Sequence, residues 1–216
     1  MIKVGLSGNR YSGKDRVASL FEQIKVPVFH ADIILKYLLN CNYEILGEIK
    51  SQFGDSVFKD GKLSYKEINK QKIFDKILSI SEPYLEASYS SFLKRHKKAP
   101  YIIYHSSILF ETGLNKKMDK NITVFSPQHD RVQRCRYSTQ TKVSVIYDLI
   151  KSEIKDLDKN NNSDFVIHNY EAGIDVLDTV NQIDRQIIDE IIDQMSPSSK
   201  LTSRVEEIMP NFIRIR

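Results

Sequence analysis

The sequence predicts an α/β fold, a parallel sheet with helices against it. Three observations carry this expectation: short apolar runs rich in β-prone residues recur along the chain, segments of helical period separate them, and a glycine turn joins the first strand to the first helix.

Residues 2 to 6, Ile-Lys-Val-Gly-Leu, form a buried strand that stops at Ser7-Gly8. From Lys14 the apolar positions Val17, Ala18, Leu20, Phe21 and Ile24 fall at helical spacing and end before Pro27. Val26 to Phe29 reads as a second strand and Ala31 to Leu39 as the start of another helix. Strand, turn, helix and strand make a right-handed βαβ unit with parallel strands. From about 40 to 100 the pattern is mostly helical, with breaks at Asp60-Gly61 and Glu82-Pro83. Tyr101 to Tyr104, Asn121 to Phe125 and Asp164 to Ile167 read as further strands. Ile174, Leu177, Val180, Ile183, Ile187, Ile188, Ile191 and Ile192 recur at a period that predicts a long amphipathic helix. Ser196 to Lys200 then reads as a flexible joint before a short tail.

The 216 residues suit one domain of layered structure. The balance of 41% hydrophobic to 28% charged residues excludes a collagen-like, disulfide-dense or wholly disordered chain. No apolar run reaches the ~20 residues of a membrane span. The opening residues enter a strand, not a signal peptide, so a cytoplasmic protein without a membrane partner is expected. Cys41 and Cys135 have no metal-ligand pattern around them and read as free thiols. The net charge of +4 is spread among acidic residues with no long basic block, so nucleic acid is not the expected partner. A phosphate-bearing small molecule explains the same excess. Nothing in the sequence assigns an oligomeric state.

Gly8-Asn9-Arg10-Tyr11-Ser12-Gly13-Lys14-Asp15 matches G-x-x-x-x-G-K between a predicted strand and a predicted helix. In such a loop backbone N–H groups face a phosphate, the helix N-terminus adds its positive end, and the lysine reaches the β and γ oxygens. The motif turns the general expectation into a P-loop NTPase-type parallel sheet flanked by helices, with ATP as the ligand of residues 8 to 15 and Mg²⁺ beside it. Asp15 stands where a hydroxyl normally faces the Mg²⁺; its carboxylate can bind the ion directly or through water.

Five elements in one order make the chain resemble the dephospho-CoA kinases, P-loop kinases that phosphorylate the ribose 3′-hydroxyl of dephospho-CoA with ATP. The loop is the first, and His30-Ala31-Asp32-Ile33-Ile34 is similar to the family's D-A-D-x-[IL]. Phe53-Gly54 with Asp60-Gly61-Lys62-Leu63 is similar to F-G followed by D-G-x-L. Ser107-Ile108-Leu109-Phe110-Glu111 is similar to P-L-L-F-E, and Ser163-Asp164-Phe165-Val166-Ile167-His168-Asn169 to A-D-x-[VI]-I-x-N.

The resemblance implies a helical acceptor-binding insertion at about 40–100 and a lid at about 128–160 within a kinase domain of residues 1–195, with a tail at 196–216. It implies that His30 or Asp32 orients the acceptor hydroxyl and that Asp32 can hold water on Mg²⁺. It implies that lid arginines, Arg134 first and then Arg131, fold over the phosphates, and that Asn169 lies beside the adenine. Lys14 is the further catalytic residue.

Several positions depart from the family pattern. His30 replaces the first Asp of D-A-D, Tyr65 replaces the Arg after D-G-x-L, and Ser107 replaces the Pro of P-L-L-F-E. His105 replaces an Asp sometimes found before that element. The loop with Asp after the lysine also resembles that of phage-type deoxynucleoside monophosphate kinases, whose acceptor is a nucleotide. The accumulated changes fit, as a third reading, a nucleotide-binding regulatory protein that has lost turnover.

Overall fold

The opening apolar run forms strand β1 (Ile2–Ser7), buried from Val4 onward. It lies in the middle of a five-stranded sheet in a computed structural model that describes residues 1–139, 154–170 and 175–194. The tail at 196–216, the centre of the expected lid at 140–153 and the first residue of the expected long helix lie outside the described residues.

The other strands are β2 (Val28–His30), β5 (Tyr101–His105), β6 (Lys120–Phe125) and β7 (Phe165–His168). Their order is β2-β5-β1-β6-β7, and β1 pairs in parallel with β5 and β6, as β6 does with β7. Parallel pairing brings the carboxyl ends of these strands, Ser7, His105, Phe125 and His168, to one edge of the sheet, where ligands bind in open α/β sheets. The expected architecture is therefore the observed one, with strand ends shifted by one or two residues.

Two helices cover one face. Val17, Ala18, Leu20 and Phe21 of α1 (Lys14–Gln23) pack with Val4 and Leu6 of β1, Ile122 and Val124 of β6, and Ile167 of β7. The C-terminal helix of the described chain (Val176–Gln194) adds Val176, Val180, Ile183, Ile187 and Ile188 to the same core. That periodic stripe contributes about 25 cal/mol per Å² of apolar surface it removes from water. On the other face Gly5 leaves room for close neighbours, since an added Cβ would stand 2.6 Å from Leu109 Cδ2. Cys41 and Cys135 are both free thiols. Among the described residues no helix is long and apolar enough to cross a membrane.

One polar pair sits inside the core: the Tyr101 hydroxyl donates to Asp184 Oδ1 at 2.5 Å. Burial, opposed by the Tyr101 hydrogen bond and by Arg185, holds the Asp184 carboxyl above its ordinary value. The folded chain thus binds this proton more tightly than the unfolded one, so the carboxyl's contribution to stability falls as pH rises through the ordinary carboxylate range toward the raised value. Tyr101→Phe is expected to lower stability by about 1–3 kcal/mol, with the larger loss above that range, where the carboxylate is ionised and unpaired. Asp184→Asn should flatten the pH dependence. Urea midpoints at acidic and neutral pH check both.

Residues His30–Arg95 form a second compact unit. It begins before the expected insertion at about 40–100 because Leu38 and Leu39 of α2 (Ala31–Cys41) are buried in its core, not in that of the sheet. Around them pack α3 (Tyr43–Phe53), which Asn42 caps by accepting from the Ile45 N–H at 3.0 Å, then α4 (Tyr65–Gln71) and α5 (Phe74–Arg95). The break expected at Asp60-Gly61 is a hairpin between β3 (Phe58–Lys59) and β4 (Lys62–Leu63), with both turn residues at positive φ (51° and 74°). The break expected at Glu82-Pro83 does not occur: Pro83 lies inside α5. An interior proline costs about 3 kcal/mol, and burial of Ile77 and Ile80 just before it, with Tyr84 and Leu85 packed after it, outweighs that.

Candidate active site

The loop after β1 starts at Gly8, where no side chain fits: an added Cβ would lie 2.5 Å from Ser12 Oγ and 2.6 Å from the Val124 carbonyl oxygen. It ends at Gly13, the residue preceding α1, at φ 94°. A Cβ there would also fall on Asn169 Nδ2. Between them Tyr11 takes a left-handed φ of 61°, a strained conformation for a ring-bearing residue. Ser12 Oγ is buried and has no hydrogen-bond partner among the described residues. Lys14 is 8% exposed at the first turn of α1. Gly13→Ala is expected to destabilise the chain by about 1–3 kcal/mol and to abolish ATP binding, because backbone strain and the displaced Asn169 both distort the loop. Thermal melting with and without ATP reads both effects.

A loop whose N–H groups turn inward presents its carbonyls outward, and these need donors. Helix α6 (Gln128–Thr139) supplies them. Arg134 Nη1 donates to the carbonyls of Tyr11 at 3.1 Å and Ser12 at 3.2 Å, and its Nη2 donates to the carbonyl of Asn169 at 2.8 Å. A planar guanidinium can serve several acceptors at once, which an ammonium cannot do in the same geometry. Val132 and Cys135 of α6 pack against Tyr11. The side-chain amide of Asn169 donates to the Ser12 carbonyl at 2.7 Å. The residue expected beside the adenine thus has its Nδ2 committed to the loop.

Arg131, 3% exposed, donates from Nη2 to Asp156 Oδ2 at 3.3 Å. Asp156 opens α7 (Asp156–Asn161), and its other oxygen accepts from Asn9 Nδ2 at 2.7 Å. One carboxylate therefore ties the loop to both described parts of the expected lid. Lys159 of α7 is 1% exposed and lies 2.8 Å from Glu111 Oε1. The two arginines expected over the phosphates also serve the loop: Arg134 donates to its carbonyls and Arg131 to Asp156.

A cavity of about 440 Å³ opens against the loop, lined by Arg10, Tyr11, Gly13, Lys14, Asp15, Arg134 and Ser138. Three cations, Arg10, Lys14 and Arg134, border it, a charge pattern suited to a polyphosphate. Asp15 is the acidic residue in this lining. Its side chain is 79% exposed, with Oδ2 3.9 Å from Lys14 Nζ and Oδ1 3.3 Å from Nε2 of the buried His105. Among the described residues no three His, Cys, Asp or Glu side chains gather as a metal cluster, so an ion here would complete its shell with phosphate and water oxygens. The orphaned Ser12 hydroxyl, the cationic lining of the cavity and the oxygen donor at Asp15 fit a nucleotide with a divalent ion.

His30 ends β2 and precedes α2, and Asp32 lies in the first turn of α2; both are half-buried. A carboxylate in a first turn is favoured by the helix dipole. Both belong to the second unit, while the loop, α6, Asn169 and His105 belong to the first.

The family profile that matches this chain is that of dephospho-CoA kinase, and it spans residues 2–175. The chain belongs to the dephospho-CoA kinase family. It is a kinase, a phosphoryl transferase that uses a nucleotide. It is 28% identical over 187 residues to the dephospho-CoA kinase of Zymomonas mobilis, covering 85% of this chain and 95% of that one. With the dephospho-CoA kinase of Brucella melitensis it shares 28% over 213 residues, 94% of this chain and all of the relative (100%). Among solved structures, TT1252 from Thermus thermophilus superposes with a TM-score of 0.72 at 20% identity, covering 88% and 97% of the two chains. The dephospho-CoA kinase from Campylobacter jejuni gives 0.53 at 17% identity, covering 86% and 96%. These two likenesses support the fold.

Against the dephospho-CoA kinase pattern, the structure gives His105, a departure already noted in the sequence, a neighbour in Asp15, and it adds Asp156 to the residues singled out there. Asp156 carries no signal in the sequence: it is distant from Asn9 and Arg131, and no motif includes it.

Proposed function

We propose that this protein transfers the γ-phosphoryl group of ATP to the 3′-hydroxyl of dephospho-CoA. The observation that carries the reading is the phosphate loop of a dephospho-CoA kinase chain, with left-handed Gly13 and buried Lys14 set against a cationic cavity at the carboxyl edge of the sheet. The loop N–H groups and Lys14 bind the β- and γ-phosphates, and Arg134, which also lines the cavity, adds charge there while holding the loop in shape. Arg10, Tyr11 and Ser12 complete the nucleotide contacts, with Asn9, Arg131 and Asn169 bracing the loop that makes them. Asp15 would hold the divalent ion, Mg²⁺ in the family pattern, which would supply positive charge beside the phosphate oxygens. His30 and Asp32 orient the acceptor hydroxyl. Catalysis of this kind is positioning plus charge neutralisation.

A nucleotide acceptor is not favoured. The single arginine between residues 40 and 100 is Arg95, which leaves that stretch short of forks for a nucleoside phosphate.

ADP release from ATP is the test, measured with dephospho-CoA, with each deoxynucleoside monophosphate and without acceptor. Stimulation by dephospho-CoA alone is expected. Stimulation by a nucleotide instead, or ATP binding without turnover, would refute the assignment. Within it, His30→Ala is expected to lower kcat by about 10²-fold while leaving the KM for ATP nearly unchanged. An unchanged kcat removes His30 from the reaction.

A further inference from the structure

The loop helix and the end of β5 together change the chemistry available to the ion. Relative to the family pattern, a carboxylate stands at Asp15 where a hydroxyl is usual, and an imidazole stands at His105 where a carboxylate is sometimes found. The exchange replaces an oxygen-only pair by one oxygen and one nitrogen.

The two side chains stand at direct ion-pair distance, a separation that two ligands of one ion would also keep. Two ligands in adjacent corners of an octahedron, each about 2.1 Å from the metal, stand about 3.0 Å apart. Asp15 Oδ1 and His105 Nε2 are 3.3 Å apart. The other Asp15 oxygen, Oδ2, is the one nearer Lys14, at 3.9 Å, so the carboxylate lies between the loop lysine and the imidazole. His105 is 2% exposed, which fixes its ring, whereas Asp15 borders the cavity and leaves the remaining corners to phosphate and water oxygens.

We propose that Asp15 and His105 form a mixed carboxylate and imidazole seat for the nucleotide's divalent ion, which makes this chain favour Mn²⁺ or a later transition ion over Mg²⁺. Mg²⁺ is hard, prefers oxygen and gives up water reluctantly, whereas imidazole suits the transition ions. The inference rests on the nucleotide-binding reading above and specifies the ion of that same site.

Pulsed electron paramagnetic resonance of the full chain with Mn²⁺ and ADP tests it without turnover, comparing protein with natural-abundance and ¹⁵N-labelled histidine. The expected spectrum carries nitrogen modulation from a coordinated imidazole that changes with the label and is lost in His105→Gln. Mn²⁺ affinity in that variant should fall at least about tenfold. The double variant Asp15→Ser, His105→Asp should lower the ratio of Mn²⁺ to Mg²⁺ affinity by a similar factor. Mn²⁺ and ADP bound with no label-dependent nitrogen signal would overturn the mixed seat and leave the kinase reading standing. Failure of the wild-type chain to bind Mn²⁺ and ADP at all would overturn both. The labelled wild-type spectrum decides the question even if His105→Gln does not fold.

Discussion

Lys14→Ala is expected to lower kcat with ATP and dephospho-CoA by about 10²–10³-fold, the scale of removing one preorganised charge from a phosphoryl-transfer site. Lys14 is the buried cation of the loop, 8% exposed, whereas Arg10 on the same cavity is exposed. Burial makes its charge act through protein more than through water, so the neighbouring arginines cannot replace it. The truncation also leaves Asp15 without the ammonium 3.9 Å away, which adds unscreened negative charge where the phosphates lie. Lys14→Arg should rescue little, because a planar fork does not fit where a compact ammonium did. Steady-state kinetics, with circular dichroism to establish that the variant folds, checks the prediction; a loss of less than tenfold would contradict it.

Arg134→Met should raise the KM for ATP more than tenfold and lower stability by about 1–3 kcal/mol. The guanidinium donates to the carbonyls of Tyr11, Ser12 and Asn169, and a thioether of similar length donates to none. Tyr11, held at a φ of 61°, is then free to relax toward ordinary backbone, which takes the loop amides out of line with the phosphates. Arg134→Lys should recover only part of the loss. If Arg134 acted on the transferred phosphoryl group alone, kcat would fall while stability stayed at the wild-type value. The pairing of a KM effect with a shifted urea midpoint therefore separates a brace for the loop from a contact to the transition state.

Much of the molecule follows from short-range pattern. The strands at 2–7, 101–105 and 120–125 and the stripe from Val176 to Ile188 are visible as apolar periodicity, because burial on one face dictates residue type at each turn or pleat. The phosphate loop is visible because it is local: Gly8, Gly13 and Lys14 act through the backbone conformation of a few consecutive residues. Pro83 misleads for the opposite reason. A residue's local preference is overridden when the helix on both sides of it is held in a core made by distant segments.

What the chain's order of residues determined by itself was the parallel sheet, the anion-binding turn at its edge and membership in a kinase family. What only the tertiary structure decided was the use of the polar side chains around that turn. The sequence places Arg131 and Arg134 over the phosphates, and only the fold shows that Arg134 also donates to the loop's outward carbonyls and Arg131 to Asp156. Asp156 joins Asn9, and His105 meets Asp15, through crossover connections that bring remote residues together at the sheet's carboxyl edge. Hydrogen bonds vanish beyond a few ångströms and charge interactions weaken with distance in space, so their partners are set by the packed fold and leave no mark on spacing along the chain.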